Sequence, residues 1–133
     1  MKSLVLMLVL FLSSCSNAVN VSYEKSLEYK AYAFNEETSE IAEVYVEYVL
    51  EDAESIFYLY TIYQNYLPVG YYSAGNSNIS LLETKVIGKE IYYYVDNYVL
   101  LSDITKFHTL LTKTAQIYDY KNVYLFLNNK ALI

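Results

Sequence analysis

Cysteine occurs once in this chain of 133 residues, at position 15, and that residue constrains the fold more than any other sequence feature. One cysteine cannot form a disulfide within the chain, and zinc sites built from several cysteines are excluded. The fold must therefore be stabilised by the burial of apolar surface. The composition supplies that surface, because 55% of the residues are hydrophobic and 18 are tyrosine, which argues against a disordered chain.

The residues before Cys15 have the order of a secretory signal. Lys2 provides a positive charge, residues 4–12 form an almost unbroken apolar run, and two serines follow. The run has about nine residues, whereas a helix that spans a bilayer needs about 20. We therefore expect the segment to direct export and then to be removed.

The sequence Leu-Ser-Ser-Cys at positions 12–15 resembles the lipobox of bacterial lipoproteins, which signal peptidase II cleaves. The resemblance implies that the Cys15 sulfur carries diacylglycerol and that its amino group carries a further acyl chain such as palmitate. Several acyl chains anchor a protein stably, whereas one alone binds weakly. An ordinary signal peptide, cut near Ser14 or Ser16, is the alternative. Ser16 also resembles the signal for transfer to an outer membrane, whereas in a Gram-positive cell the protein would stay on the outer face of the plasma membrane.

The expected organisation is one domain on a lipid anchor. Residues 1–14 are the signal peptide, 15–20 are the lipidated cysteine and a short tether, and 21–133 form a single small globular domain. The 119 residues from Cys15 onward are enough to bury a core without disulfides.

Negative charge is concentrated in the first half of the chain. Residues 20–66 carry ten acids and two lysines, residues 67–133 carry five acids and six lysines, and arginine is absent. Binding to phosphate backbones depends on Lys and Arg, so the sequence disfavours nucleic acid as a partner. The following acids occur with no lysine between them: Glu36, Glu37, Glu40, Glu43, Glu47, Glu51, Asp52 and Glu54.

Two interpretations are open for residues 39–66. Residues 41–50 alternate in polarity, and 56–60 are rich in β-favouring types, so we favour a hairpin with its turn at 51–54 and its second strand at 55–64. The alternative is a long amphipathic helix over 39–66. That helix would gather five acids on one face: Glu40, Glu43, Glu47, Glu51 and Glu54.

The remaining elements are predicted from periodicity. Strands are expected at 22–33, 81–87, 90–95, 98–101 and 123–127, the last buried on both faces. An N-cap at Ser102 or Asp103 begins a helix over about 103–116, whose apolar face includes Phe107 and Leu111. The predicted fold class is α+β, a mainly antiparallel sheet with a helix on one face and a final strand after that helix.

The sequence offers little material for catalysis. His108 is the only histidine, and without partners a structural role is favoured over a general base or a metal ligand. The common hydrolase, metalloenzyme and nucleotide-binding motifs are missing. We therefore predict no catalytic residues, no metal and no cofactor.

The acidic stretch has three interpretations: a solvated face, a cation site, and a surface that binds a basic protein. The third makes Glu43, Glu47 and Glu51 candidate partner-binding residues. The tyrosine-rich segments 58–66 and 92–94 are also expected to send rings to both faces of a sheet, one face packed in the core and the other available for binding.

The expected function is that of a membrane-anchored envelope lipoprotein, a non-catalytic module that binds or assembles a protein of unknown identity. The alternative is an inhibitor, immunity or exclusion lipoprotein directed at a cationic toxin or enzyme. An unrecognised hydrolase comes last.

Overall fold

The computed structural model describes residues 28–96, 103–127 and 130–133. Cys15, the predicted signal peptide and tether, residues 22–27 of the first predicted strand and the strand predicted at 98–101 lie outside these residues. Neither α-helix in the described part of the chain has the length and apolar character that crossing a bilayer requires.

The fold is α+β and contains two sheets. The elements in chain order are β1 Tyr29–Asn35, β2 Ile41–Val46, α1 Ala53–Leu59, a 3-10 helix Gln64–Tyr66, β3 Tyr71–Tyr72, β4 Ser80–Ile87, β5 Glu90–Asp96, α2 Ile104–Ile117, β6 Asn122–Leu127 and β7 Lys130–Ala131. The first sheet has the order β2-β1-β3, and the second has the order β4-β5-β6-β7. The pairs are antiparallel except β5 with β6, which is parallel.

Helix α2 joins the two sheets by packing against both β1 and β6. Asp103 begins it, because its side chain accepts a hydrogen bond from the backbone N–H of Lys106 at 3.1 Å. Phe107 and Leu111 are buried in the core that the helix covers. The predicted helix, its cap and the strand that follows it are thus confirmed.

Side-chain hydroxyl groups form hydrogen bonds with the backbone of β1 along the part of its edge that β3 does not cover. The Tyr32 carbonyl accepts a hydrogen bond from the Tyr60 hydroxyl at 2.6 Å, and its N–H donates to Thr114 Oγ1 at 3.0 Å. Farther along the strand, the Tyr118 hydroxyl donates to the Lys30 carbonyl at 2.6 Å. Three hydroxyls therefore replace a neighbouring strand, which meets the demand that buried backbone groups be paired.

Both interpretations of residues 39–66 are wrong beyond β2. The segment 55–64 is not a strand, because helix α1 occupies Ala53–Leu59, and a continuous helix is excluded by β2 before it. The physical reason is a reciprocal cap: the Ser55 N–H donates to the Asp52 carboxylate at 2.8 Å, and the Asp52 N–H donates to the Ser55 hydroxyl at 3.1 Å. The apolar run is buried within a helix packed against α2 and β4, so its β propensity is overridden.

The second sheet contains the strands predicted at 81–87, 90–95 and 123–127. It differs from the prediction in the burial of one face of its last predicted strand. Tyr93 is buried while Tyr92 and Tyr94 lie half-buried on the opposite face, as alternation predicts. Strand β6 is central, between β5 and β7. Its second face is only half-buried, since Tyr124 stacks on Tyr92 with ring centroids 5.1 Å apart instead of being covered by another layer.

Candidate functional site

A shallow groove of about 520 Å³, open to solvent, lies between the segment that follows β2 and the segment that follows α1. The order of the elements explains its position: the chain leaves β2, forms α1, and returns through the 3-10 helix to face the segment it has just left. The lining residues are Tyr48, Val49, Glu51, Asp52, Glu54, Ser55, Tyr58, Tyr63 and Tyr66.

Three of the tyrosines that line the groove form a cluster. The ring centroid of Tyr48 lies 5.1 Å from that of Tyr63 and 5.4 Å from that of Tyr66, and the last two are 6.1 Å apart. These separations lie in the range in which aromatic pairs attract each other. Tyr63 and Tyr66 reach the same side because the 3-10 conformation brings residues three apart into line.

Three carboxylates also line the groove. Asp52 is held by its cap of α1, whereas Glu51 and Glu54 are exposed on either side of it. None of the nine residues that line the groove carries a positive charge. The carboxylates therefore give the groove a negative potential that no lining cation offsets.

Tyr48 contributes polarity and no charge to the groove. Partial burial, followed in size by the neighbouring Tyr63 phenol and the Asp52 carboxylate, raises the pKa of Tyr48 to about 12. Its phenol is thus protonated at physiological pH, and its ring keeps the negative face that attracts cations.

The arrangement is suited to an organic cation such as a lysine side chain. Elsewhere in the described residues, lysines already lie over aromatic rings: the Lys113 ammonium is 5.1 Å from the centre of Tyr32, and that of Lys85 is 5.4 Å from the centre of Tyr94. The groove offers both the rings and the carboxylates that such a cation needs.

Of the three partner-binding acids predicted from sequence, only one lines this groove. Glu51 lines it. Glu43 lies on β2, opposite Tyr32, where its carboxylate pairs with the Lys30 ammonium at 3.5 Å, and Glu47 is exposed in the bend between them. Partner binding by the three acids stays a prediction. Sequence reasoning identified the tyrosine-rich segment 58–66 but not its contact with Tyr48, because Tyr63 and Tyr66 reach Tyr48 only through the turn after α1.

His108 has a structural environment. Its Nε2 is 2.7 Å from the carbonyl oxygen of Val123, so the proton is assigned to Nε2 and the imidazole links α2 to β6. Thr112 Oγ1 lies at 3.5 Å from the same nitrogen. Across residues 28–96, 103–127 and 130–133, no three His, Cys, Asp or Glu side chains are grouped so as to hold a metal ion.

Two solved structures have a similar fold. The first GerMN domain of the sporulation protein GerM from Bacillus subtilis matches 80% of this chain and 86% of its own chain, with a TM-score of 0.57 and 11% identity. The tandem GerMN domains of GerM match 81% of this chain, with a TM-score of 0.58 and 13% identity, and the match spans only 41% of the tandem chain. No protein-family model and no curated protein sequence matches. At these identities the likeness establishes a GerMN-like fold alone.

Proposed function

We propose that this protein is a membrane-anchored lipoprotein of the cell envelope, and that its domain is a non-catalytic module which binds a cationic segment of a partner protein. The anchor is Cys15, which carries diacylglycerol on its sulfur and, once residues 1–14 are removed, an acyl chain on its amino group. The observation that carries the binding proposal is the groove, which is lined by both a cluster of tyrosines and three carboxylates.

The chemistry of the groove favours a protein segment over a small substrate. It is shallow and open, whereas sites for small molecules bury most of their ligand. Tyrosine provides a large contact area at low entropic cost, which suits protein surfaces. Exposed Glu51 and Glu54 can pair with lysines as they arrive, and such pairing raises association rates more than affinity.

The fold supports an assembly role by analogy. Both similar structures come from a sporulation protein, and we propose that this module takes part in the assembly of an envelope structure. Fold alone does not carry function, so the groove remains the main argument. The alternative, inhibition of a cationic toxin or enzyme, uses the same surface and differs in the identity of the partner.

A photo-crosslinking experiment in the producing cells tests the proposal. The crosslinking amino acid replaces Val49, an exposed residue in the groove, and a matched control replaces Val69, an exposed valine outside it. We expect an adduct from position 49 that position 69 does not form. A component of an envelope assembly favours the assembly role, and an exported toxin favours inhibition. The same adducts from both positions would refute groove binding.

Association kinetics then test the acids. Replacing Glu43, Glu47 and Glu51 together with glutamine is expected to slow association with the identified partner, and the wild-type rate is expected to fall as salt shortens the screening length toward about 8 Å. Interferometry at two salt concentrations measures both effects. If the variant associates at the wild-type rate and that rate does not depend on salt, these three residues form a solvated face and do not bind the partner.

A further inference from the structure

Strand β4 is an unusual edge. It is the longest described strand, with eight residues, and it pairs only with β5, so within the described residues its outer edge has no strand beside it. The edge exposes apolar side chains: Leu82 and Ile87 are each 64% accessible, and Val86 is 45% accessible. A long apolar edge of unpaired backbone groups is a ready template for another strand.

The charges on β4 are complementary to those on a second, antiparallel copy of the same strand. Glu83 and Lys85 are exposed and lie on the same face, because they are two residues apart. The Lys85 ammonium lies over the Tyr94 ring, and Tyr94 is the residue opposite Glu83. When two copies of β4 run antiparallel, each Glu83 can face the Lys85 of the other copy.

Backbone geometry restricts the possible registers. Along an edge strand, the N–H and C=O groups point outward at every second residue. When two copies of the strand pair antiparallel, the residues that face each other are therefore separated by an even number of positions. The two-fold axis between the copies then passes through a residue and not between two residues. An axis at Glu83 opposes two glutamates, and an axis at Lys85 opposes two lysines. The axis at Thr84 pairs opposite charges twice. It falls in the regular part of the strand, beyond the bulge between Leu81 and Glu83.

Thr84 supplies a second, independent observation at that axis. Its hydroxyl oxygen is buried and has no hydrogen-bond partner among the described residues. Buried polar groups without partners are rare and require an explanation. In the register centred on Thr84, the two Thr84 side chains lie opposite each other on the same face of the joined sheet, as in other threonine pairs across strands.

We propose that β4 is a homodimerisation edge, along which two copies of this chain pair antiparallel about a two-fold axis at Thr84. The contact is isologous and closes on itself. It is independent of the proposed groove function, because β4 contributes no residue to the groove.

Sedimentation equilibrium of the purified full chain in detergent tests the proposal through a charge exchange. We expect the wild type to dimerise reversibly. The variants Glu83→Lys and Lys85→Glu should each weaken association by about tenfold, because each replaces two attractive cross-strand pairs with two repulsive ones. The double variant, with the charges exchanged, should recover association to near the wild-type level. Lys89→Glu is the matched control, since Lys89 lies in the turn beyond the strand and pairs with Asp119.

A wild type that stays monomeric, or a double variant as weak as the single variants, overturns the proposal. Zero-length carbodiimide crosslinking of the wild type gives a result that does not depend on variant folding. An amide between Glu83 of one copy and Lys85 of the other, identified in the crosslinked dimer by mass spectrometry, supports the register. A crosslinked dimer that lacks this amide overturns it.

Discussion

Replacing Tyr60 with phenylalanine removes one oxygen from the point where β1, α1 and α2 meet. Tyr60 is fully buried. Its hydroxyl donates to the Tyr32 carbonyl at 2.6 Å and lies 2.6 Å from Thr114 Oγ1, which accepts from the Tyr32 N–H at 3.0 Å. One consistent assignment uses every proton once: Tyr60 donates to Tyr32, and Thr114 donates to Tyr60.

The cost follows from which groups lose a partner. Without the Tyr60 oxygen, the Tyr32 carbonyl and the Thr114 hydroxyl hydrogen each lose a hydrogen bond, whereas the Tyr32 N–H keeps Thr114. A buried polar group left without a partner costs about 1–3 kcal/mol. The ring still fills its site, so no cavity forms. We therefore expect Tyr60→Phe to lower the free energy of unfolding by about 2 kcal/mol, which corresponds to a Tm lower by about 8 °C.

Urea and thermal unfolding, followed by circular dichroism, measure this change. The matched control is Tyr45→Phe, which removes a hydroxyl from an exposed tyrosine on β2 and should shift the free energy by less than about 0.5 kcal/mol. Combining Tyr60→Phe with Thr114→Val should show a coupling of about 1 kcal/mol, because the two hydroxyls contact each other. Equal, small losses in Tyr60→Phe and Tyr45→Phe would show that the hydroxyls do not hold the edge of β1.

Three further predictions follow from single groups. Burial raises the pKa of Tyr48 to about 12 and that of Tyr93 well above its usual value. Because the unfolded phenols ionise near pH 10, the stability from these groups is full below that pH and falls above it, as urea midpoints at increasing alkaline pH will show. His108→Ala should lower stability by about 1 kcal/mol through loss of the Val123 contact and leave crosslinking from the groove unchanged; loss of crosslinking in a folded variant would reinstate a functional role. Cys15→Ala should abolish metabolic acyl labelling and membrane retention, whereas an unlabelled wild-type protein would refute the lipoprotein assignment.

Sequence periodicity predicts the helices and strands that bury one face and expose the other. Helix α2 carries a helical apolar pattern, and β5 alternates between buried and half-buried residues, because each has one face on the core. The first sheet is only partly predictable, since β3 has two residues and pairs through Phe34 and Asn35, and so few residues carry no period.

Residues 53–66 show why the rest is not predictable from period and propensity. Helix α1 buries Ile56, Phe57 and Leu59 on several sides at once, so no apolar stripe marks it as a helix, and its residue types favour strands. The available signal was the Asp52 to Ser55 spacing of a helix cap. The groove exists because this segment is a helix followed by a turn. In the predicted hairpin strand, Tyr63 and Tyr66 would not face Tyr48.

The affinity of a tetralysine peptide for the full chain and two paired variants tests most directly whether the groove binds a cationic segment. Glu51→Gln with Glu54→Gln removes two charges at the groove, and Glu36→Gln with Glu37→Gln removes two charges in the exposed turn after β1. Titration calorimetry at low salt is expected to show binding to the wild type, a loss of about tenfold for the groove variant, and a change of less than about twofold for the turn variant. Equal losses in both variants would mean that net charge alone attracts the peptide, and no loss in the groove variant would contradict the assignment of the groove as the binding site.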